Sequence, residues 1–321
     1  MALTKVYDAA TVFKHLNGII NVYKPAGVKV QHVRNAILSN ISKGLNELEQ
    51  REPRKLPKSR LLLGTGTAAD PVLHNINSNT DLSDTIFAAG SRYMPRDTRC
   101  ATVATLGDHT SGVLLFGLNK GLHQSSQIQR NRPVRVYHVT ARMGTATETH
   151  LPGSRVTVRA NHKYVTAERI SGLAASMQAS HQRKMYELCG VDLQTQAAYE
   201  LACKGLLRPA DNSQPVIYGI KLIHFERPHF TLELHAINEN EQFLASLVHD
   251  MAIELRTVAH CSQLRCIRHA HFDVKDSLLR HGWHLAGIMK NLQEQRKILE
   301  AHPQILDQER VDLHAATEAK I

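Results

Sequence analysis

The spacing of apolar positions changes from segment to segment along this chain, and each change marks an element. Ile19 to Tyr23 is a β-branched run between Gly18 and Lys24-Pro25-Ala26-Gly27, which predicts a strand running into a turn. Val30, Val33, Ile37, Ile41 and Leu45 then recur at spacings of three and four, the mark of an amphipathic helix whose other face carries Arg34 and Lys43. From Glu49 to Arg60 charge and proline replace periodicity, and residues 65–98 are equally poor in pattern, so a basic, exposed and mobile insertion is expected at about 46–98. Order resumes with Ala101 to Leu106, a Gly107 to Ser111 loop, and Gly112 to Leu118, which predict strand, loop and strand.

A helix near 119–129 precedes an alternating strand from Val134 to Met143, and loop with short strand is expected over 144–164. Residues 165–178 and Thr195 to Leu206 predict helices, the second stopped by Lys204, Gly205 and Pro209. Strands at about 215–226 and 229–237 lead to Asn240, a helix cap ahead of one broad apolar stripe made of Phe243, Leu244, Leu247, Val248, Met251, Ala252 and Leu255. Ser262 to Arg268 predicts a strand, and the chain from Asp273 is helical in composition with a polar end. Strands and helices interleave without a repeating βαβ unit, so the fold class is α+β.

Composition narrows the function. With 321 residues, 42% of them hydrophobic, the chain buries a core of its own and is not disordered. Its 39 Lys and Arg against 29 Asp and Glu give a net charge of +10, which favours a polyanion such as nucleic acid or an anionic membrane face. Residues 1–60 alone hold eleven Lys or Arg against four Asp or Glu, and so carry +7. From His109 to Thr147 there is no acid, while Lys120, Arg130, Arg132, Arg135 and Arg142 fall inside the run. That pattern fits a phosphate track and equally a solvated face. The five cysteines, Cys100, Cys189, Cys203, Cys261 and Cys266, are odd in number and scattered, which predicts free thiols in a reducing compartment. No apolar run approaches the roughly 18 residues of a membrane span, so a soluble protein is expected. Residues 1–20, with Lys5, Lys14 and His15 against Asp8, form a weak mitochondrial address without its usual arginines. His260, Cys261, Cys266, His269 and His271 are metal-binding residue types, but no C-x-x-C pair is present and a strand turns neighbouring side chains to opposite faces. No metal is expected there.

Several segments carry a family resemblance. Gly18 to Gly27 (GIINVYKPAG), Leu106 to Leu114 (LGDHTSGVL), Arg135 to Thr147 (RVYHVTARMGTAT), Ser180 to Pro209, Phe243 to Met251 and Gln263 to Phe272 (QLRCIRHAHF) resemble, in order, the segments that build the TruB family of RNA pseudouridine synthases. Ser180 to Pro209 is particularly similar to the mitochondrial branch. The resemblance runs from about 16 to 282. It implies a pseudouridine synthase fold with a central, largely antiparallel sheet, helices on its faces and a basic cleft for RNA. It implies isomerisation of uridine without metal or cofactor, on a base flipped out at a cost of a few kcal/mol. Tyr137 would stack on that base, for roughly 1–3 kcal/mol, and Tyr23, Lys24, Arg135, Arg265 and Arg268 would contact RNA. The domain would be 1–282, followed by a helical, polar tail at 283–321 too short for an appended RNA-binding domain. Mitochondrial mRNA or rRNA, in the matrix, would be the partner, together with other mitochondrial RNA-processing proteins. On their own residues, Lys24-Pro25-Ala26-Gly27 is also an ordinary β-turn and Tyr137 also a core strand aromatic.

The sequence departs from the family where the chemistry lies. Counting back from Ser111-Gly112-Val113-Leu114, the family's catalytic Asp falls on Gly107, and Asp108 comes one residue late. One residue moves the Cα by about 3.8 Å, whereas about 1 Å of misplacement costs roughly a hundredfold in rate. Glycine tolerates positive φ, so Gly107 offers a bend by which the loop is rebuilt around Asp108. The Arg that pairs with the family's Asp is matched by Ala245, and Cys266 replaces the second Arg of the Leu-Arg-Arg strand. The expectation is therefore an RNA binder whose isomerase activity is impaired or lost, the alternative being an active synthase with Asp108 as nucleophile. A third class, a protein-interaction scaffold using residues 29–60 and the tail, is distinguished by salt-insensitive association with protein and no RNA binding.

Overall fold

In the computed structural model of the protein, residues 8–52, 82–84, 86–188, 190–203 and 214–306 are described. Helix α1 (Ala9–His15), capped by the Asp8 carboxylate, leads into strand β1 (Gly18–Lys24) and helix α2 (Val30–Glu47). The three-and-four spacing is realised in α2, where Val33, Ile37, Ile41 and Leu45 are buried and Lys43 is exposed. Of the insertion expected at about 46–98, residues 53–81 and 85 lie outside the described residues. Asn46 of α2 brackets Tyr93 with hydrogen bonds of 2.9 and 3.0 Å, which docks the end of that segment on the helix.

Then follow α3 (Ile86–Ala89), β2 (Cys100–Thr102), β3 (Thr110–Leu118), α4 (Gly121–Asn131), β4 (Arg135–Met143) and the hairpin of β5 (Thr145–Thr147) with β6 (Val156–Arg159). Helix α5 (Ala167–Leu188) runs ten residues past the expected end at 178, because Met185 packs into a small cluster with Val216 and Ile237. The chain continues through α6 (Gln196–Cys203), β7 (Val216–Glu226), β8 (His229–Ile237), α7 (Glu241–Glu254), β9 (Ala259–His269), β10 (Phe272–Asp273) and α8 (Leu285–Ala301). The stop signals Lys204, Gly205 and Pro209 lie outside the described residues.

Eight strands form one sheet in the order β1-β3-β9-β4-β8-β7, with β2 beside β3 and β10 beside β9. Among the described strands of this sheet only the β3–β9 pair is parallel, so the α+β, largely antiparallel expectation agrees with the architecture. Ile19 to Val22 of β1 and Gly112 to Leu118 of β3 are buried without alternation, as in strands covered on both faces. Among the described residues no helix is long and apolar enough to cross a membrane.

Composition predicts a helical, polar tail outside the domain for the chain after Gly282. Over its described length it joins the core instead. Ile288, Leu292 and Leu299 of α8 belong to the main apolar cluster, and Asn291 Oδ1 accepts the Asn21 backbone N–H of β1 at 2.9 Å. Leu278 exchanges backbone hydrogen bonds with Asn21 and Tyr23, so the outer edge of β1 is closed. A periodicity count alone does not show that an edge strand needs this partner.

Candidate nucleic-acid interface

The strand register draws the separate sequence motifs into one line. Lys24 on β1 lies opposite Gly112 on β3, Gly112 opposite Cys266 on β9, and Cys266 opposite Tyr137 on β4. Gly112 sits at φ +115°, and a Cβ there would overlap the Cys266 carbonyl oxygen, so both conformation and space require glycine at this crossing. The loop holding Gly107 and Asp108 enters β3 beside this line.

Lys24, expected at the RNA, is taken up inside the fold. It is fully buried, and its Nζ donates to the carbonyls of Thr110 at 2.8 Å, Gly107 at 2.9 Å and Asp108 at 3.2 Å. The Gly27 N–H also donates to the Asp108 carbonyl at 2.8 Å. The turn after β1 and the loop before β3 are thereby tied together. Burial lowers the Lys24 pKa from its ordinary value, while Glu241 and Asp108 raise it. The Lys24 ammonium is thus spent on carbonyls inside the fold and is closed to solvent.

Asp108 is held by its backbone carbonyl, and its side chain is exposed. Gly107 is not among the residues with positive φ, so the bend foreseen for it is not the reason for glycine there. The reason is space. A Cβ at 107 would overlap the side chain of Glu241, whose Oε2 accepts from the Thr110 backbone N–H at 2.8 Å and from Thr110 Oγ1 at 2.7 Å. Glu241 opens α7 directly after its cap Asn240, whose side chain accepts the Phe243 N–H at 2.7 Å.

Arg135 and Tyr137 were expected to face RNA, and both turn inward around a second acid. Arg135 pairs with Glu239 at 2.5 Å, and Tyr137 donates its hydroxyl to Glu239 Oε1 at 2.7 Å. Tyr137 is 2% exposed and the Glu239 side chain is fully enclosed, so the tyrosine ring offers no open face to a base. Burial pushes the Glu239 carboxyl up, opposed by the charge of Arg135 and the Tyr137 hydrogen bond. Cys266 lies in the same enclosed space, where burial pushes its thiol up to about 12.

Arg265 and Arg268 are exposed on β9. The Arg265 guanidinium lies over the half-buried Tyr23 ring, 5.5 Å from its centroid, as a cation–π pair open to solvent. The acid-free run from 109 to 147 does not form one track. Lys120 follows the end of β3 farthest from the loop, Arg135 is consumed by Glu239, and exposed Arg142 lies on β4 beyond Tyr137. For Glu239 and Glu241 the sequence carries one signal, two acids flanking the helix cap Asn240.

The profile of the TruB family pseudouridylate synthase N-terminal domain matches residues 92–240, which include the loop, β3 and β4. A mitochondrial pseudouridylate synthase TRUB2 of Xenopus tropicalis is 33% identical over 289 residues, 90% of this chain and 88% of that protein. The chain belongs to the TruB family of pseudouridylate synthases. The human mitochondrial TRUB2 is 30% identical to this TruB family member over 85% of the chain and 82% of the relative. A solved chain of an archaeal box H/ACA Nop10-Cbf5 complex is 12% identical, with a TM-score of 0.47, over 87% of this chain and 60% of that one.

Proposed function

We propose that this TruB family member binds mitochondrial RNA, mRNA or rRNA of the matrix, at the loop end of its sheet, and that catalysis through Asp108 is lost. The mitochondrial names of its TRUB2 relatives and the net charge of +10 support the choice of RNA and compartment. Exposed Arg265 and Arg268, with Tyr23 beneath Arg265, support the solvent-facing side of β9 as the contact surface. The observation that carries the loss is at the loop: position 107 has no side chain, and Asp108 is held by its backbone with its carboxylate in solvent. Ala245, fully buried on α7, supplies no counter-charge.

The experiment is single-turnover conversion of unmodified mitochondrial mRNA and rRNA transcripts, with RNA binding measured in the same samples. Arg265→Ala weakens binding and lowers the salt slope by about 1, as removal of one phosphate contact requires. Absence of RNA binding by the wild type refutes the first half of the reading. Loss of pseudouridine in Asp108→Asn with binding retained refutes the second half and makes Asp108 the nucleophile. That alternative is favoured by one observation, the anchoring of the Asp108 carbonyl by both Lys24 and Gly27.

A further inference from the structure

We propose that the carboxylate serving the uridine site is Glu241, delivered by the first turn of α7 in place of the side chain absent at Gly107. This rests on the RNA-binding reading above and names the group that the loop before β3 does not provide at position 107.

Four observations converge on it. The Glu241 side chain occupies the space a side chain at 107 would take, so the carboxylate stands beside the loop although no loop residue carries it. Oε2 is fixed by two hydrogen bonds from Thr110, whereas Oε1 makes none among the described residues and is not an enclosed orphan atom. One oxygen is therefore held and the other is open. The ammonium of Lys24 interacts electrostatically with Glu241, and the N-terminus of the 14-residue α7 favours an anion in its first turn. Finally, Glu241 precedes Ala245 by four residues, one turn along the same helix face. Position 245 matches the family's charge partner, so the face that would have brought an arginine toward the loop brings a carboxylate.

The step needs no cofactor. Glu241 Oε1 attacks C1′ of the flipped uridine, and the N1–C1′ bond breaks with its electron pair passing to the uracil. After the ring turns, C5 attacks C1′, and the bond from C1′ to Glu241 breaks and returns its pair to the carboxylate. C5 then gives up its proton and N1 takes one, so the product is an isomer of the substrate and nothing is oxidised or reduced.

A carboxylate that merely tied α7 to β3 would show itself in stability and RNA binding, and the chemistry separates the two roles. Glu241→Gln keeps the size of the side chain and an oxygen for Thr110 while removing the charge. Wild type, Glu241→Gln and Asp108→Asn are compared in single turnover on unmodified mitochondrial rRNA transcripts, with RNA affinity and urea midpoint measured on each. Transcripts made with 5-fluorouridine are incubated with the same proteins, and adducts are mapped by peptide mass. The expected result is a fall of at least about a thousandfold in rate for Glu241→Gln, RNA affinity within about threefold of wild type, and any adduct on the peptide containing residue 241. A Glu241→Gln rate close to wild type, loss that follows Asp108→Asn instead, or wild-type protein that binds RNA and makes no product each overturns the proposal. Failure of the wild type to bind RNA overturns the underlying reading instead.

Discussion

Glu241 and Gly107 share one space: a Cβ on the glycine would overlap the glutamate side chain that Thr110 holds through its N–H at 2.8 Å and its hydroxyl at 2.7 Å. Gly107→Ala must push that side chain away and break these bonds, at a cost of about 1–3 kcal/mol. In the double variant with Glu241→Ala the two costs fall short of their sum, because the overlap is gone. Urea unfolding of the two single variants and the double checks this; strict additivity would mean that the residues do not compete for space.

Lys24→Met leaves the carbonyls of Gly107, Asp108 and Thr110 without their shared donor, and is expected to destabilise by about 2–4 kcal/mol. Where the variant remains folded, the slope of RNA affinity against salt matches wild type, because the buried ammonium neutralises no phosphate. A slope lowered by about 1 would place Lys24 at the RNA after all.

Glu239→Gln strips the buried Arg135 of its counter-charge, for an expected loss of about 3–5 kcal/mol. Pairing it with Arg135→Met removes the stranded charge and recovers most of that loss. Thermal or urea unfolding of the two variants gives the answer. No recovery in the pair would show that Glu239 acts through the Tyr137 hydroxyl instead.

His269 makes stability depend on pH. Burial, aided by the charge of Arg135, holds its imidazole at about 3 against an ordinary 6.5. Between those values the unfolded chain takes up a proton that the folded chain does not. The stability is therefore complete above about pH 6.5 and declines as pH falls toward 3. Going from pH 7 to 5, this group alone is expected to remove about 2 kcal/mol. In His269→Phe that decline is smaller, as urea titrations at the two pH values would show.

Much of the architecture was legible from local pattern. The β-branched run at Ile19, the spacing from Val33 to Leu45 and the cap at Asn240 each report on neighbours within a few residues, and those elements stand where periodicity placed them. The family motifs likewise lie within short stretches. The end of α5 lies beyond local pattern because Met185 is held by Val216 and Ile237 from distant strands. The docking of the residues after 282 is invisible to local pattern because the partner of α8 is β1, at the other end of the chain.

By itself, then, the sequence determined the locally patterned elements, their class, the family and the absence of a side chain at 107, since each depends on residue type and local spacing. The tertiary structure alone decided which groups meet. Glu241 reaches Thr110 across 131 positions and Glu239 reaches Tyr137 across 102, while Lys24 turns from an apparent phosphate ligand into an internal tie for a loop more than 80 residues away. Periodicity states which way a side chain leaves its own helix or strand. What it meets there is set by how the elements pack, and a carboxylate or an ammonium takes its role from that meeting.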